Sequence, residues 1–136
     1  MNYWLLKSEP FKYAWDDLIR DKKTFWDGVR NYAARNNLRA MNKGDFAFFY
    51  HSNEGLEIVG IVEIVKTHYQ DPTTDDPAWL CVDVKPKKKL KNPVTLKAMK
   101  ADPILREMAL VRQGRLSVCP VTPDQFNRVL LLAGEA

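Results

Sequence analysis

The sequence predicts an α+β fold: a strongly bent, barrel-like mixed β-sheet flanked by short helices. Three observations predict it. Patterns rich in β-branched and aromatic residues gather in the middle of the chain, at 45–51, 57–69 and 78–84. They follow one another without the regular strand–helix alternation of a parallel α/β sheet. The longest of them carries Gly60 in its interior, where a glycine marks a bulge or a close backbone approach.

The elements follow in order. Residues 3–6 (YWLL) read as a short buried strand, with Trp4 in the core. Residues 14–20 (AWDDLIR) suit one or two helical turns with Trp15, Leu18 and Ile19 on one face. Asp16 and Asp17 fall in the first turn, where the helix dipole favours them. Residues 31–41 can form a helix with Tyr32, Ala33 and Leu38 inward, and Lys43-Gly44-Asp45 is a turn. Residues 45–51 (DFAFFYH) and 57–69 (EIVGIVEIVKTHY) make a hairpin around a turn at 52–55. QDPTTDDP at 70–77 is a loop, and AWLCVDV at 78–84 is a further strand. Residues 93–108 carry two short helices split at Asp102-Pro103, because proline cannot continue the first. LSVCPV at 116–121 is the last strand. Thr122 then caps a final helix with Pro123 at its first position and Phe126, Val129 and Leu130 inward.

The length of 136 residues fits one domain over 1–136, and such a chain buries roughly two thirds of the surface its unfolded state exposes. There is no repeat, low-complexity tract or linker. The balance is basic, with 21 Lys and Arg against 17 Asp and Glu, net +4, a mild pointer to a polyanionic partner. Cys81 and Cys119 sit in separate apolar contexts without a CxxC pair and are expected to stay reduced. The start, MNYWLLKSEP, has too short an apolar run for a signal peptide or a membrane span.

Catalysis finds little support. His51 and His68 are the only histidines, and neither has a cysteine or second histidine at metal-ligand spacing. GxSxG, a P-loop and GxGxxG are absent. The expectation is a non-catalytic protein that needs neither cofactor nor metal.

Binding residues are more visible. WDGVRNYAARNNLR at 26–39 sets Arg30, Arg35 and Arg39 among amides and aromatics. Trp26 precedes the turn-like Asp27-Gly28, and Trp79 opens a strand. Each sits at an element's edge, where it either lines a pocket mouth or simply packs. Tyr50, His51, Ser52 and Asn53 end a strand beside a turn and offer polar groups for a base edge. Aromatic faces stack on bases for roughly 1–3 kcal/mol each. The three arginines suit phosphates or stacking; ion pairing with Asp16, Asp17 or Asp27 is the equal alternative. KPKKKLK at 85–91 has the densest positive charge. It reads as a solvated strand end or loop, as a backbone-tracking run through Lys87, Lys88 and Lys89, or as a nuclear-import signal.

YWLLKSEP, WDGVRNYAARNNLR, GDFAFFYHSN, IVGIVEIV, PVTLKAMK and RLSVCPV, in this order, resemble the EVE domain family from Trp4 to about Leu131. The resemblance implies a PUA-like fold, related to the YTH and ASCH domains, and a reader of modified bases such as 5-methylcytosine and 5-hydroxymethylcytosine in DNA. It implies a pocket with Lys7, Ser8 and Glu9 at its rim or floor. By analogy with YTH readers, Trp26 is one cage wall. Tyr50 to Asn53 would line the site with His51 and Asn53 as polar readers, and Trp79 is a weaker second wall. Two departures from the family pattern bear on the pocket: the 70–77 loop is short, and Ala33 stands where a larger polar residue, commonly Gln, is expected.

These residues combine into one mechanism. A base leaves its helix at a cost of a few kcal/mol. It stacks on Trp26, while Arg30 and Asn31 hold adjacent polar edges and Arg35, Arg39 and the lysine run hold the backbone. A methyl group adds only about 1–3 kcal/mol of preference in an apolar pocket, so discrimination is expected to be modest. The alternative is a regulatory or small-metabolite-binding module using the same pocket. A third class, an enzyme on RNA or nucleotides, would use His51 as its base. The nucleic acid is modified DNA or RNA, no membrane is involved, and a monomer is the favoured state. The absence of an N-terminal tail points to a bacterial cytoplasmic protein; a eukaryotic one would be nuclear.

Overall fold

The structure is a computed structural model and describes residues 1–135. Six strands form one sheet: β1 (Tyr3–Ser8), β2 (Thr24–Phe25), β3 (Phe46–His51), β4 (Glu57–Gln70), β5 (Leu80–Thr95) and β6 (Val118–Val121). The helices are α1 (Trp15–Asp21), α2 (Tyr32–Ala40), α3 (Leu96–Ala101), α4 (Ala109–Arg112) and α5 (Pro123–Leu132), with a 3-10 turn at Leu105–Glu107. The strand order is β2-β5-β4-β3-β1-β6. β1 and β3 run parallel, and every other neighbouring pair is antiparallel. The fold is the mixed, α+β arrangement expected.

The core follows from the apolar strands. Leu5, Leu6, Phe48, Phe49, Ile58, Val62 and Ile64 are fully shielded from solvent. Trp4 is buried, and its indole N–H donates to Asp45 at 3.0 Å, so the polar end of the ring is satisfied inside the core.

Gly60 does both things its position suggested. Between Ile58 and Gly60 the ladders to β3 and to β5 both slip, so the strand bulges there. A Cβ on Gly60 would stand 2.5 Å from the Trp15 ring, so only a glycine lets α1 lie this close to the sheet. Three further slips between β4 and β5 add bend. The sheet therefore curls until Thr24 and Phe25 of β2 share a cleft with Ser117, the residue before β6.

Helix ends obey local rules. Asp17 accepts the Ala14 N–H at 2.7 Å to start α1. At α5, Thr122 and Gln125 form a reciprocal capping box at 3.1 and 3.0 Å. Asp102 is buried, accepts the Ile104 and Leu105 N–H groups, and is held by Arg128 of α5 at 2.7 Å.

Several expectations need correction. Tyr32 and Ala33 do not face inward; Tyr32 is 62% exposed, and Ala34 and Leu38 are the buried residues of α2. Ile19 is 49% exposed, because Trp15 and Leu18 already fill the contact between α1 and the sheet. KPKKKLK is not a loop or strand end but the middle of β5, which runs on through 93–95, where a helix was expected. β2 pairs with β5 only at Asp83 and Val84, so Pro86 lies where that side of β5 is free and its missing N–H costs no ladder bond. The two-residue β2 was not foreseen.

Candidate nucleic-acid site

Parallel pairing brings the C-terminal ends of β1 and β3 together, with Ser8 opposite His51. The Ser52 N–H donates to the Ser8 carbonyl at 2.8 Å, and the Lys7 N–H to the Ser117 carbonyl at 3.1 Å. The curl of the sheet carries β2 over these ends. Between them lies a cleft of about 520 Å³, within the usual size of ligand pockets. Its lining joins Lys7, Ser8 and Glu9 of one wall to Thr24, Phe25, Trp26, Asp27 and Gly28 of the other. Lys12, Tyr13, Ser52 and Ser117 complete it.

Trp26 is a fixed wall. Its backbone N–H donates to the Val82 carbonyl at 2.7 Å, and its ring meets Phe49 edge-on at 5.5 Å and 86°. It is only 8% exposed yet forms part of the lining, so packing behind the ring sets its orientation before any ligand arrives.

The polar groups are also held. Lys7 donates to the Gly114 carbonyl at 2.8 Å, and burial pulls its pKa below the usual lysine value. Ser8 donates its hydroxyl to the Tyr13 carbonyl. Tyr13 donates to Asp21 at 2.9 Å, and its phenol is pushed up to about 12, mainly by burial. Glu9 pairs with Lys12 at 3.2 Å and accepts from Asn53 at 2.9 Å. Asp27, the other carboxylate of the lining, is exposed.

Behind the wall, Asp71 is completely buried. It accepts the Gly28 N–H at 2.8 Å, Arg30 at 3.0 Å, and the Thr73 N–H and hydroxyl at 2.7 and 2.6 Å. Burial works against its charge, but these donors outweigh it and hold the carboxyl down at about 2.

Of the residues singled out in the sequence, Lys7, Ser8, Glu9, Trp26 and Ser52 share this lining. The others lie elsewhere. Arg30 is taken up by Asp71 rather than by Asp16, Asp17 or Asp27. Asn31 caps α2 by accepting the Ala34 N–H at 2.9 Å. Tyr50 is 3% exposed in the core. The His51 Nε2 accepts the Trp15 N–H at 3.2 Å, and burial lowers its pKa. Asn53 supports the rim through Glu9. Trp79 packs on Tyr32 at 4.9 Å with the Arg30 guanidinium 5.8 Å from its ring. Arg35 donates to the Ala78 carbonyl at 2.9 Å, and Arg39 is exposed. Lys87 lies 5.5 Å over Phe46, Lys88 pairs with Glu135 at 3.2 Å, and Lys89 is exposed.

Sequence reasoning missed Lys12, Tyr13, Thr24, Phe25, Asp27, Gly28 and Ser117. Asp27 and Gly28 adjoin Trp26, so adjacency was a usable signal; Ser117 arrives only through β6 and has no local one.

Both cysteines are free and buried. No group of three or more His, Cys, Asp or Glu among the described residues is able to hold a metal, and no helix there is long and apolar enough to cross a membrane.

A curled mixed sheet with an aromatic-walled cleft at the ends of parallel strands defines a PUA-like domain. An ASCH protein of Zymomonas mobilis shares the fold at a TM-score of 0.61 and 8% identity. The chain belongs to the EVE domain family, which it matches over residues 2–132. It is 39% identical to thymocyte nuclear protein 1 of Mus musculus, in an alignment covering 96% of this chain and 73% of that one. A crystal structure of an Agrobacterium tumefaciens protein superposes with a TM-score of 0.95 at 49% identity, covering 98% and 94% of the two chains. The human THYN1 protein, crystallised with DNA containing 5-methylcytosine, gives a TM-score of 0.91 at 36% identity and covers 100% and 99%.

Proposed function

We propose that residues 1–136 act as one EVE domain that binds nucleic acid without catalysis and reads a modified base of the 5-methylcytosine or 5-hydroxymethylcytosine type, extruded into the Trp26 cleft. The observation that carries this is Trp26 itself: a tryptophan pinned from behind by Phe49 and Val82 and forming one wall of a cleft otherwise rich in polar groups. Stacking of roughly 1–3 kcal/mol per base requires such a fixed face. The DNA-bound state of the human THYN1 protein supports the same reading.

In the cleft, the exposed Asp27 carboxylate accepts from the exocyclic amine, the donor that separates cytosine from thymine. Lys7, Ser8, Glu9 and Ser52 form the facing wall. Arg30, Asn31, Trp79 and Arg35 act one layer out, by fixing the segment that follows Gly28. Tyr50 and Asn53 act from behind and beside the rim. His51 has its Nε2 occupied by the Trp15 N–H, which argues for a structural part rather than a general base. A bacterial cytoplasm is the compartment that fits, supported by the high identity to the Agrobacterium tumefaciens protein.

The test is fluorescence-polarisation binding to matched oligonucleotides carrying cytosine, 5-methylcytosine or 5-hydroxymethylcytosine, at two salt concentrations. Tighter, salt-sensitive binding to a modified oligonucleotide is expected. Equal or absent binding to all three overturns the proposal.

A further inference from the structure

Two exposed aromatics and several lysines lie on the two segments, 9–13 and 22–25, that supply one side of the cleft. Phe11 is 68% exposed, on the turn 9–13 that also carries the lining residues Glu9, Lys12 and Tyr13. Phe25 is 42% exposed and itself part of the lining. Lys22 and Lys23 are exposed immediately before β2. The two segments meet where Tyr13 donates to Asp21 at 2.9 Å.

This rim is built rather than loose. The turn is closed by the Lys12 and Tyr13 N–H groups, both donating to the Glu9 carbonyl at 2.9 Å, and Glu9 is fastened to Asn53. Lys22 takes the left-handed conformation, φ 66°, ending α1 with its N–H on the Leu18 carbonyl at 2.8 Å. Of the acidic groups nearby, Asp17 and Asp21 are compensated by Arg20 at 3.2 and 3.1 Å, and the exposed Asp27 belongs to the cleft lining. That leaves the lysines to face an external anion.

Exposed phenyl rings interleaved with lysines match a nucleic-acid strand, which presents base faces and phosphates alternately. We propose that Phe11 and Phe25 stack on the bases flanking the extruded one and that Lys22 and Lys23 contact the adjoining phosphates, so that the strand crosses the mouth along this rim. The inference rests on the base-reading function above and assigns its contact surface. It also moves the main phosphate contact away from the 85–91 run, where Lys87 is drawn over Phe46 and Lys88 is paired with Glu135.

The experiment measures binding of a 5-methylcytosine duplex at several salt concentrations for the wild type, Phe11→Ala/Phe25→Ala, Lys22→Gln/Lys23→Gln, and Lys87→Gln/Lys88→Gln/Lys89→Gln. Binding of free 5-methyl-2′-deoxycytidine is followed in parallel by tryptophan fluorescence, and thermal melting checks folding. The phenylalanine pair is expected to weaken duplex binding by roughly five- to a hundredfold per ring. The Lys22/Lys23 variant should flatten the salt slope by about 2. Nucleoside binding should stay unchanged in the Lys22/Lys23 variant, and the triple-lysine variant should bind the duplex as the wild type does. Rim variants that bind the duplex as tightly as the wild type, with the same salt slope, overturn the rim and leave base reading standing. A wild type that binds neither duplex nor nucleoside overturns both.

Discussion

The Asp71 carboxylate fixes Gly28 across 43 positions of sequence, accepting its N–H at 2.8 Å from a fully buried site. Gly28 belongs to the cleft wall and takes φ 78°, so this one bond sets the path of the chain directly after Trp26 and Asp27.

Acid should loosen this tether. The Asp71 carboxyl is depressed from 3.8 to about 2, so its contribution is fully present above about pH 4 and is lost as pH falls through 2. The shift corresponds to about 2 kcal/mol. Chemical denaturation at pH 7 and pH 2.5 should show that part of the acid loss vanishing in Asp71→Asn. That variant should itself be destabilised by about 2–3 kcal/mol at pH 7.

Trp26 has two duties, which two substitutions separate. Trp26→Ala should abolish modified-base binding but also cost about 3–5 kcal/mol of stability, because the ring packs on Phe49. Trp26→Phe should keep most of the stability and still weaken binding. Titration of both, with melting curves, checks this; binding unchanged in Trp26→Phe and Trp26→Ala removes the ring from the mechanism.

Asp27→Ala should reduce affinity for cytosine-type bases by about 1–3 kcal/mol and leave a thymine oligonucleotide unaffected, since of these two pyrimidines cytosine alone offers an amine to the carboxylate. Competition binding reads the difference directly.

Gly60→Ala should destabilise by about 1–3 kcal/mol, since its methyl group would meet the Trp15 ring at 2.5 Å. In a Trp15→Leu background the same change should cost less, a coupling that a double-mutant cycle measures.

The sequence is most informative where local chemistry decides. Thr122-Pro123 announced α5, the β-branched run announced β4, and Gly60 announced both the bulge and the approach of Trp15. It is least informative where a distant partner decides. Lysines and Pro86 hid the continuation of β5, because pairing with β4 on one side outweighs their poor strand propensity. Tyr32 reads as a core residue by its helical position but packs on Trp79 instead, a contact made across two segments. The motif 50–53 straddles the end of β3, so Tyr50 enters the core with the strand while Ser52, one residue past it, reaches the cleft. Trp26 declared itself by its place before a turn; Tyr13, Phe25 and Ser117 came to the cleft only through the curl of the sheet.

The parallel pairing of β1 with β3, with β6 antiparallel to β1 beyond it, has a kinetic corollary. The cleft draws on residues from 7 to 117, and its two walls touch only after the sheet has curled. Long-range closures of this kind come slowly and at high entropic cost. A refolding chain would regain helical circular dichroism well before it regains a binding cleft. Ligand capture would then be a stricter clock for arrival at the native topology than any spectroscopic signal of secondary structure.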